Sequence, residues 1–210
     1  MKETQVLDTD TPKRPPPPPP KVSQSQTSSY MAVVYPSTYH IACKNGDYGL
    51  LVSLLETRQA EDLNGQDSYG YTALHHAASC GYDNMVELLL SYNAAVDKRA
   101  IKGLSALHCA AYSGHAEVIR LLLSRVNDVN ERDYANRTAL HWAAERGHLA
   151  AVEALLENEL VEVNPLDIAG LTPFVYASYW NHYDVVSVLR DAGGKITVHD
   201  SLFPVRDVTA

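Results

Sequence analysis

The sequence predicts an all-α solenoid, a row of short helix-turn-helix units stacked side by side and joined by finger-like turns. Three observations carry that expectation. The phrase YTALHHAASCG from Tyr71 recurs as LSALHCAAYSG from Leu104 and RTALHWAAERG from Arg137, with looser copies in STYHIACKNG from Ser37 and LTPFVYASYWN from Leu171. Its histidine falls at His40, His75, His108 and His141, at intervals of 35, 33 and 33, and the fifth copy puts Val175 in that place 34 residues later. Each copy is followed by an apolar stretch in phase with it: YGLLVSLLE, NMVELLLS, EVIRLLLS, LAAVEALLE and YDVVSVLRD. Self-similarity at a period of about 33 residues marks a stacked array whose single units are too small to bury a core alone.

Each element of the unit has a local cause. Thr72, Ser105, Thr138 and Thr172 stand just ahead of an apolar run, where a hydroxyl accepts from the orphan amides of a helix start. Pro173 follows at the first helical position, where its missing N–H costs nothing, and the other copies use Ala73, Ala106 and Ala139 there. Small pairs at Ala77-Ala78, Ala110-Ala111 and Ala143-Ala144 let neighbouring helices approach closely. Gly46, Gly81, Gly114 and Gly147, with Asn181 in the fifth copy, supply the turn that ends the helix. Leucines at 88 to 90 and 121 to 123 then give the second helix its buried face, and turns such as DSYGY and DYANR join the units.

The repeat resembles the ankyrin family, whose signature T-P-L-H-x-A is followed by a glycine and a leucine-rich second helix, over roughly 160 residues from about Val34 to Thr197. The units fall near 34–66, 67–99, 100–132, 133–165 and 166–198, after an arm at 1–33 and before a tail at 199–210. The end units are expected to show one polar face. Arg190 replaces the Leu156 of the fourth unit, and Gly49 interrupts the second helix of the first, so the array is expected to begin and end within this chain.

Composition narrows the function. Net charge is −8, and because the first 30 residues hold four basic and three acidic side chains, the repeats carry the negative excess. That argues against nucleic acid as the main partner. No stretch is long and apolar enough to span a membrane, and MKETQVLDTDTPKR lacks the apolar core of a signal peptide. Three cysteines, Cys43, Cys80 and Cys109, fit a reducing compartment, cytoplasm or nucleus, better than a disulfide framework. A monomer is expected.

The arm is a different object. KRPPPPPPK followed by VSQSQTSS cannot bury enough apolar area to fold and is expected to be disordered. Its six prolines extend for about 19 Å in polyproline II geometry. Lys13, Arg14, Pro16, Pro19 and Lys21 fit a docking motif in either orientation: Lys13-x-x-Pro16-x-x-Pro19, or Pro16-x-x-Pro19-x-Lys21. An SH3, WW or profilin-type domain is the partner such a motif takes, with a solubilising spacer as the alternative.

Reactive-looking side chains belong mostly to the architecture. His75, His108 and His141 occupy equivalent positions, so they lie about one helix spacing, 8–10 Å, apart. Zinc needs its ligand atoms roughly 3–4 Å apart, so no metal site and no cofactor is expected. The resemblance instead implies a structural hydrogen bond for this histidine. His76 and Cys80 share a helix face without further ligands in view. No G-x-S-x-G, H-E-x-x-H, P-loop or Rossmann fingerprint occurs, and no catalytic residue or enzymatic activity is expected. The sequon at Asn136 has its Thr138 engaged as a helix cap. Asn130 and Asn164, each behind a leucine and an acidic-Val pair, look like ankyrin sites accepted by the oxygen-sensing asparaginyl hydroxylase, and an asparagine there also suits a bridge between turns.

The resemblance implies a binding face made of the finger tips and the exposed sides of the first helices. Its variable positions fall on Tyr69 and Tyr71 in the second unit, on Ile101, Lys102, Leu104 and Tyr112 in the third, on Tyr134, Arg137, Glu145 and Arg146 in the fourth, and on Ile168, Tyr179 and Trp180 in the fifth. Tyr, Trp and Arg dominate interface hot spots. Thirteen tyrosines against two phenylalanines point the same way, because a core has no use for a phenol oxygen. Tyr82, Tyr92, Tyr176 and Tyr183 lie elsewhere in the repeat and are expected to pack between units. The function these features imply is an adaptor that binds a protein on this face, with Arg137 and Arg146 favouring an acidic segment. The alternative is a stoichiometric inhibitor or sequestering regulator of an enzyme or transcription factor.

Overall fold

The computed structural model describes residues 37–57 and 62–196. The arm at 1–33, with Lys13, Arg14, Pro16, Pro19 and Lys21, and the tail at 199–210 lie outside them. Among the described residues the helices form five antiparallel pairs: α1 (Thr38–Asn45) with α2 (Tyr48–Thr57), α3 (Ala73–Cys80) with α4 (Asp83–Ser91), α5 (Ala106–Ser113) with α6 (Ala116–Leu123), α7 (Ala139–Arg146) with α8 (Leu149–Leu156), and α9 (Pro173–Tyr179) with α10 (Tyr183–Asp191). The first helices α1, α3, α5, α7 and α9 pack in one layer, each on the next, and α4, α6, α8 and α10 pack behind them in a second.

Small residues set the first layer. Ala77, Ala78, Ala110, Ala111, Ala143 and Ala144 are completely buried, so no side chain larger than a methyl separates these helix backbones at those points. Larger side chains fill the space between the layers: Leu51, Met85, Leu89, Ile119, Leu122, Leu155 and Leu189. Each such burial stabilises the fold by about 1.5–3 kcal/mol. In the fifth unit Arg190 is exposed where Leu156 of the fourth is half-buried.

The repeated histidine links each helix start to the next unit. Its Nδ1 accepts the backbone N–H of the N-cap residue, at 3.1 Å for Ser37–His40, 3.2 Å for Thr72–His75, 3.3 Å for Ser105–His108 and 3.1 Å for Thr138–His141. This is a capping box with a histidine in the place usually held by Glu or Gln. An amide can only donate, so the ring proton sits on Nε2. From there it donates to a carbonyl of the following unit: Tyr71, Leu104, Arg137 and Leu171, at 2.8, 3.2, 3.1 and 3.1 Å. In the fifth unit, where Val175 has no ring, the Thr172 hydroxyl accepts from the Val175 amide and donates to the Lys195 carbonyl.

A second row of histidines closes the other end of the first helices. Gly81, Gly114 and Gly147 end α3, α5 and α7 with φ of 76°, 85° and 71°. A Cβ on them would lie 2.4, 2.7 and 2.4 Å from the rings of His115, His148 and His182. Those rings belong to the next unit and donate from Nε2 to the carbonyls of Ser79, Tyr112 and Glu145, at 3.1, 3.0 and 3.1 Å. The glycine thus meets two demands, a left-handed backbone and room for a ring. In the sequence these histidines are marked only by the recurring dipeptides Gly114-His115 and Gly147-His148.

Candidate functional site

The fingers are held in line by one backbone bond per junction: Ile101 N–H to Tyr69 carbonyl, Tyr134 to Lys102, and Ile168 to Ala135, at 2.8, 2.9 and 3.0 Å. The finger bases of units two, four and five are tied internally as well. The Oδ1 of Asp67, Asp133 and Asp167 accepts two backbone N–H groups, those of Tyr69 and Tyr71, of Ala135 and Arg137, and of Ala169 and Leu171. Side chains on this ladder therefore project from a fixed backbone. Tyr134 is 79% exposed and Ile168 76%, with Tyr69 and Ile101 exposed alongside.

The first helices supply the rest of the face. Tyr112, Arg146, Tyr179 and Trp180 are exposed, Lys102 is exposed at a finger tip, and Tyr71, Leu104, Arg137 and Glu145 are half-buried. Tyr112 packs edge-on against Trp142, and Tyr179 against Trp180, with ring centres 5.4 and 5.3 Å apart. Arg146 lies 4.8 Å above the Tyr112 ring. Of the tyrosines expected to pack between units, Tyr82 lies against Gly46 and Tyr176 bonds Asp167, whereas Tyr92 and Tyr183 are exposed.

Arg137 is engaged within the protein. Its Nε donates to Asp133 Oδ2 at 3.3 Å, its Nη1 to Glu145 Oε2 at 3.1 Å, and its guanidinium lies 3.4 Å from the centre of the Trp142 ring. Trp142 in turn donates its Nε1–H to the same Asp133 oxygen at 3.2 Å. Arg137 thereby fixes the wall of a groove of about 430 Å³ that runs over the third unit. Tyr71, His76, Leu104, Cys109, Tyr112 and Trp142 are among the residues that line it. A smaller groove of about 200 Å³ lies beside Tyr179 and Trp180.

The family model described as "Ankyrin repeats (3 copies)" matches residues 39–133 and 124–200, most of the chain. The chain belongs to the ankyrin-repeat family. Comparison with curated proteins gives no match. Ankyrin repeats indicate a protein–protein interaction module, and the family is generally non-enzymatic. No helix among the described residues is long and apolar enough to cross a membrane.

Titratable groups in the array are tuned by burial. His75, His108 and His141 are held down at about 4, chiefly because the interior disfavours the charged ring. Burial pushes the thiols of Cys43 and Cys109 up to about 12, so both stay neutral. Ser105, His108 and Glu131 superficially resemble a nucleophile, base and orienting acid. All are buried, however, the second ring nitrogen of His108 is occupied by the Arg137 carbonyl, and Ser105 donates to Glu131, which also pairs with Arg99 at 3.0 Å. The trio is structural: it lies within unit three, tied to unit four through His108 and Arg137 and to unit two through Glu131 and Arg99. His76 bonds Asp67 at 3.0 Å rather than facing Cys80, and among the described residues no cluster of three or more His, Cys, Asp or Glu is placed to hold a metal.

The loop asparagines of the ankyrin array use both ends of their amides. Asn130 donates from Nδ2 to the Leu160 carbonyl and accepts from the Glu162 amide, each at 2.7 Å. Asn164 does the same with Gly193 and Lys195, at 3.0 and 2.6 Å. Asn64, at the matching loop position of the first unit, accepts from the Ala95 amide at 2.7 Å.

Proposed function

We propose that this ankyrin array is a non-enzymatic adaptor whose protein partner docks on the face formed by the fingers and first helices. The observation that carries the reading is the placement of Tyr112, Tyr134, Tyr179 and Trp180, exposed on one face. The backbones of Tyr134 and Tyr112 are tied by inter-unit bonds, and Tyr179 and Trp180 sit on the last turn and cap of α9, so little ordering cost opposes burial of these rings. Tyr69, Tyr71, Lys102, Leu104 and Arg146 complete the surface. Arg137 and Glu145, being paired, serve as a rigid part of it. The free thiols Cys43, Cys80 and Cys109 support a reducing compartment, cytoplasm or nucleus.

The spacing of Lys13, Pro16, Pro19 and Lys21 supports a second partner of SH3, WW or profilin type on the arm. Quantitative affinity purification from cell lysate tests both parts with three baits: the full chain, the chain without residues 1–33, and Tyr112→Ala/Tyr179→Ala/Trp180→Ala after circular dichroism confirms folding. The adaptor reading expects the two variants to lose different partners. Loss of no partner on arm deletion leaves an inhibitor or sequestering regulator, and retention of every partner by the aromatic variant removes the face.

A further inference from the structure

We propose that the groove over the third unit is a pocket for an extended acidic segment of the partner, which seats one large apolar side chain against Cys109 and sets carboxylates beside Lys102 and Arg146. This deepens the reading of the face as a binding surface and rests on it.

The groove arises from a substitution that sets the third unit apart from its neighbours, units two and four, and from unit five. In units two, four and five the aspartate at the finger base bonds a donor nine residues later: His76 at 3.0 Å, Trp142 at 3.2 Å and Tyr176 at 2.7 Å. The third unit has Ala100 and Cys109 at these two positions. Both members of the pair are replaced together by small side chains, so no buried carboxylate is orphaned and the space they fill elsewhere stays open. Cys109, its thiol neutral, forms an apolar floor, and Tyr112 and Trp142 stand on one side with Tyr71 and His76 on the other.

The same loss changes the finger. Without a carboxylate to gather its amides, the turn places Lys102 at φ 63° ahead of Gly103 at φ 78°. The residues at the position of Lys102 in the other fingers, Tyr69, Ala135 and Ala169, do not take a positive φ. A lysine in that conformation is uncommon, and the groove's lining includes it.

Charge decides the partner's chemistry. The carboxylates on this face are occupied: Asp67 by His76 and two amides, Asp133 by Arg137, Trp142 and two amides, Glu145 by Arg137. Among the described residues Lys102 and Arg146 pair with no carboxylate, the latter resting on the Tyr112 ring. In a chain of net charge −8 the face thus offers two uncommitted cations around an apolar floor. A segment carrying Asp or Glu next to Leu, Ile or Phe meets both features.

A display library of random linear peptides, selected on the full chain, tests this. Enriched peptides are expected to place Leu, Ile or Phe next to Asp or Glu. The tightest of them, synthesised and titrated by fluorescence anisotropy, is expected to bind Ala100→Asp/Cys109→His about tenfold or more weakly, because that variant rebuilds the pair that unit two already accommodates. Cys109→Leu, which fills the floor with no new charge, is expected to act alike should the double variant fail to fold. Lys102→Glu is expected to weaken binding, with partial recovery when Lys replaces the peptide's acidic residue. Enrichment without acidic residues, or no enrichment, overturns the proposal. Binding that survives the filled groove but falls with Trp180→Ala overturns the pocket and keeps the face, and binding insensitive to both removes the face as well.

Discussion

His108 donates its Nε2–H to the carbonyl oxygen of Arg137 in the next unit, 3.1 Å away, while its Nδ1 accepts the Ser105 amide. The arrangement needs a neutral ring. A proton added at Nδ1 would face an N–H that has nowhere else to go, so the contact is built to fail in acid.

The sign of that dependence follows from the depressed pKa. His75, His108 and His141 titrate near their ordinary 6.5 when unfolded and at about 4 when folded. Their contribution is fully present above 6.5 and is lost as pH falls toward 4, because the unfolded chain binds the protons first. Between about pH 7 and about pH 5 each costs on the order of 2 kcal/mol. Glu131, its carboxyl raised by burial, works in the opposite direction over its own window and offsets part of the loss. Urea unfolding is expected to show a lower midpoint at the acidic pH. His108→Gln, which keeps a capping side chain without a titrating ring, is expected to reduce the drop. Equal midpoints at both pH values would contradict the neutral-ring account.

Gly114 and Gly193 separate the two demands made on a glycine. Both have positive φ, 85° and 89°, but a Cβ on Gly114 would meet the His148 ring at 2.7 Å, whereas nothing lies within 4 Å of one on Gly193. Gly193→Ala is expected to cost about 1 kcal/mol, the backbone term alone. Gly114→Ala adds the displaced ring and its bond to the Tyr112 carbonyl, for about 2–3 kcal/mol in all. Chemical denaturation of the two variants gives the difference, and equal losses would remove the ring from the account.

The period, the alanine pairs and the helix-ending glycines were legible because they are local and repeat in phase. Asn181, with φ 61°, takes the role of those glycines as its residue type implied. The exposure of Tyr69, Tyr134, Tyr179 and Trp180 was also readable, from variable positions on a known unit. The engagement of Arg137 was not, since its partners Asp133, Trp142 and Glu145 meet only after finger and helix are folded against each other. The groove was present in the sequence as Ala100 and Cys109, but its meaning needs the distance across that same junction.

Asp133 sits at the centre of this junction, buried and accepting from two amides, Arg137 and Trp142. Asp133→Ala is expected to destabilise by about 3 kcal/mol, because it strands the Arg137 guanidinium and leaves amides unsatisfied. Trp142→Phe, which removes one donor and keeps most of the ring, is expected to cost about 1 kcal/mol. A double-mutant cycle on unfolding free energies is expected to show that the two losses do not add. Additive losses would mean that the bond between them contributes nothing.

Trp142→Phe has a further use, since it leaves Trp180 as the single tryptophan of the 210-residue chain. Trp180 is 54% exposed, so its indole is largely wetted in the free protein, and Trp142, at 8%, would otherwise dominate the blue side of the emission. A partner that buries the fifth-unit surface must exclude water from that ring. Emission of the variant is therefore expected to shift to shorter wavelength and resist acrylamide quenching when a captured partner is added, while Trp180→Ala weakens the complex by about tenfold or more. Unchanged emission in a complex of undiminished affinity would place the partner away from Trp180 and restrict the interface to units two to four.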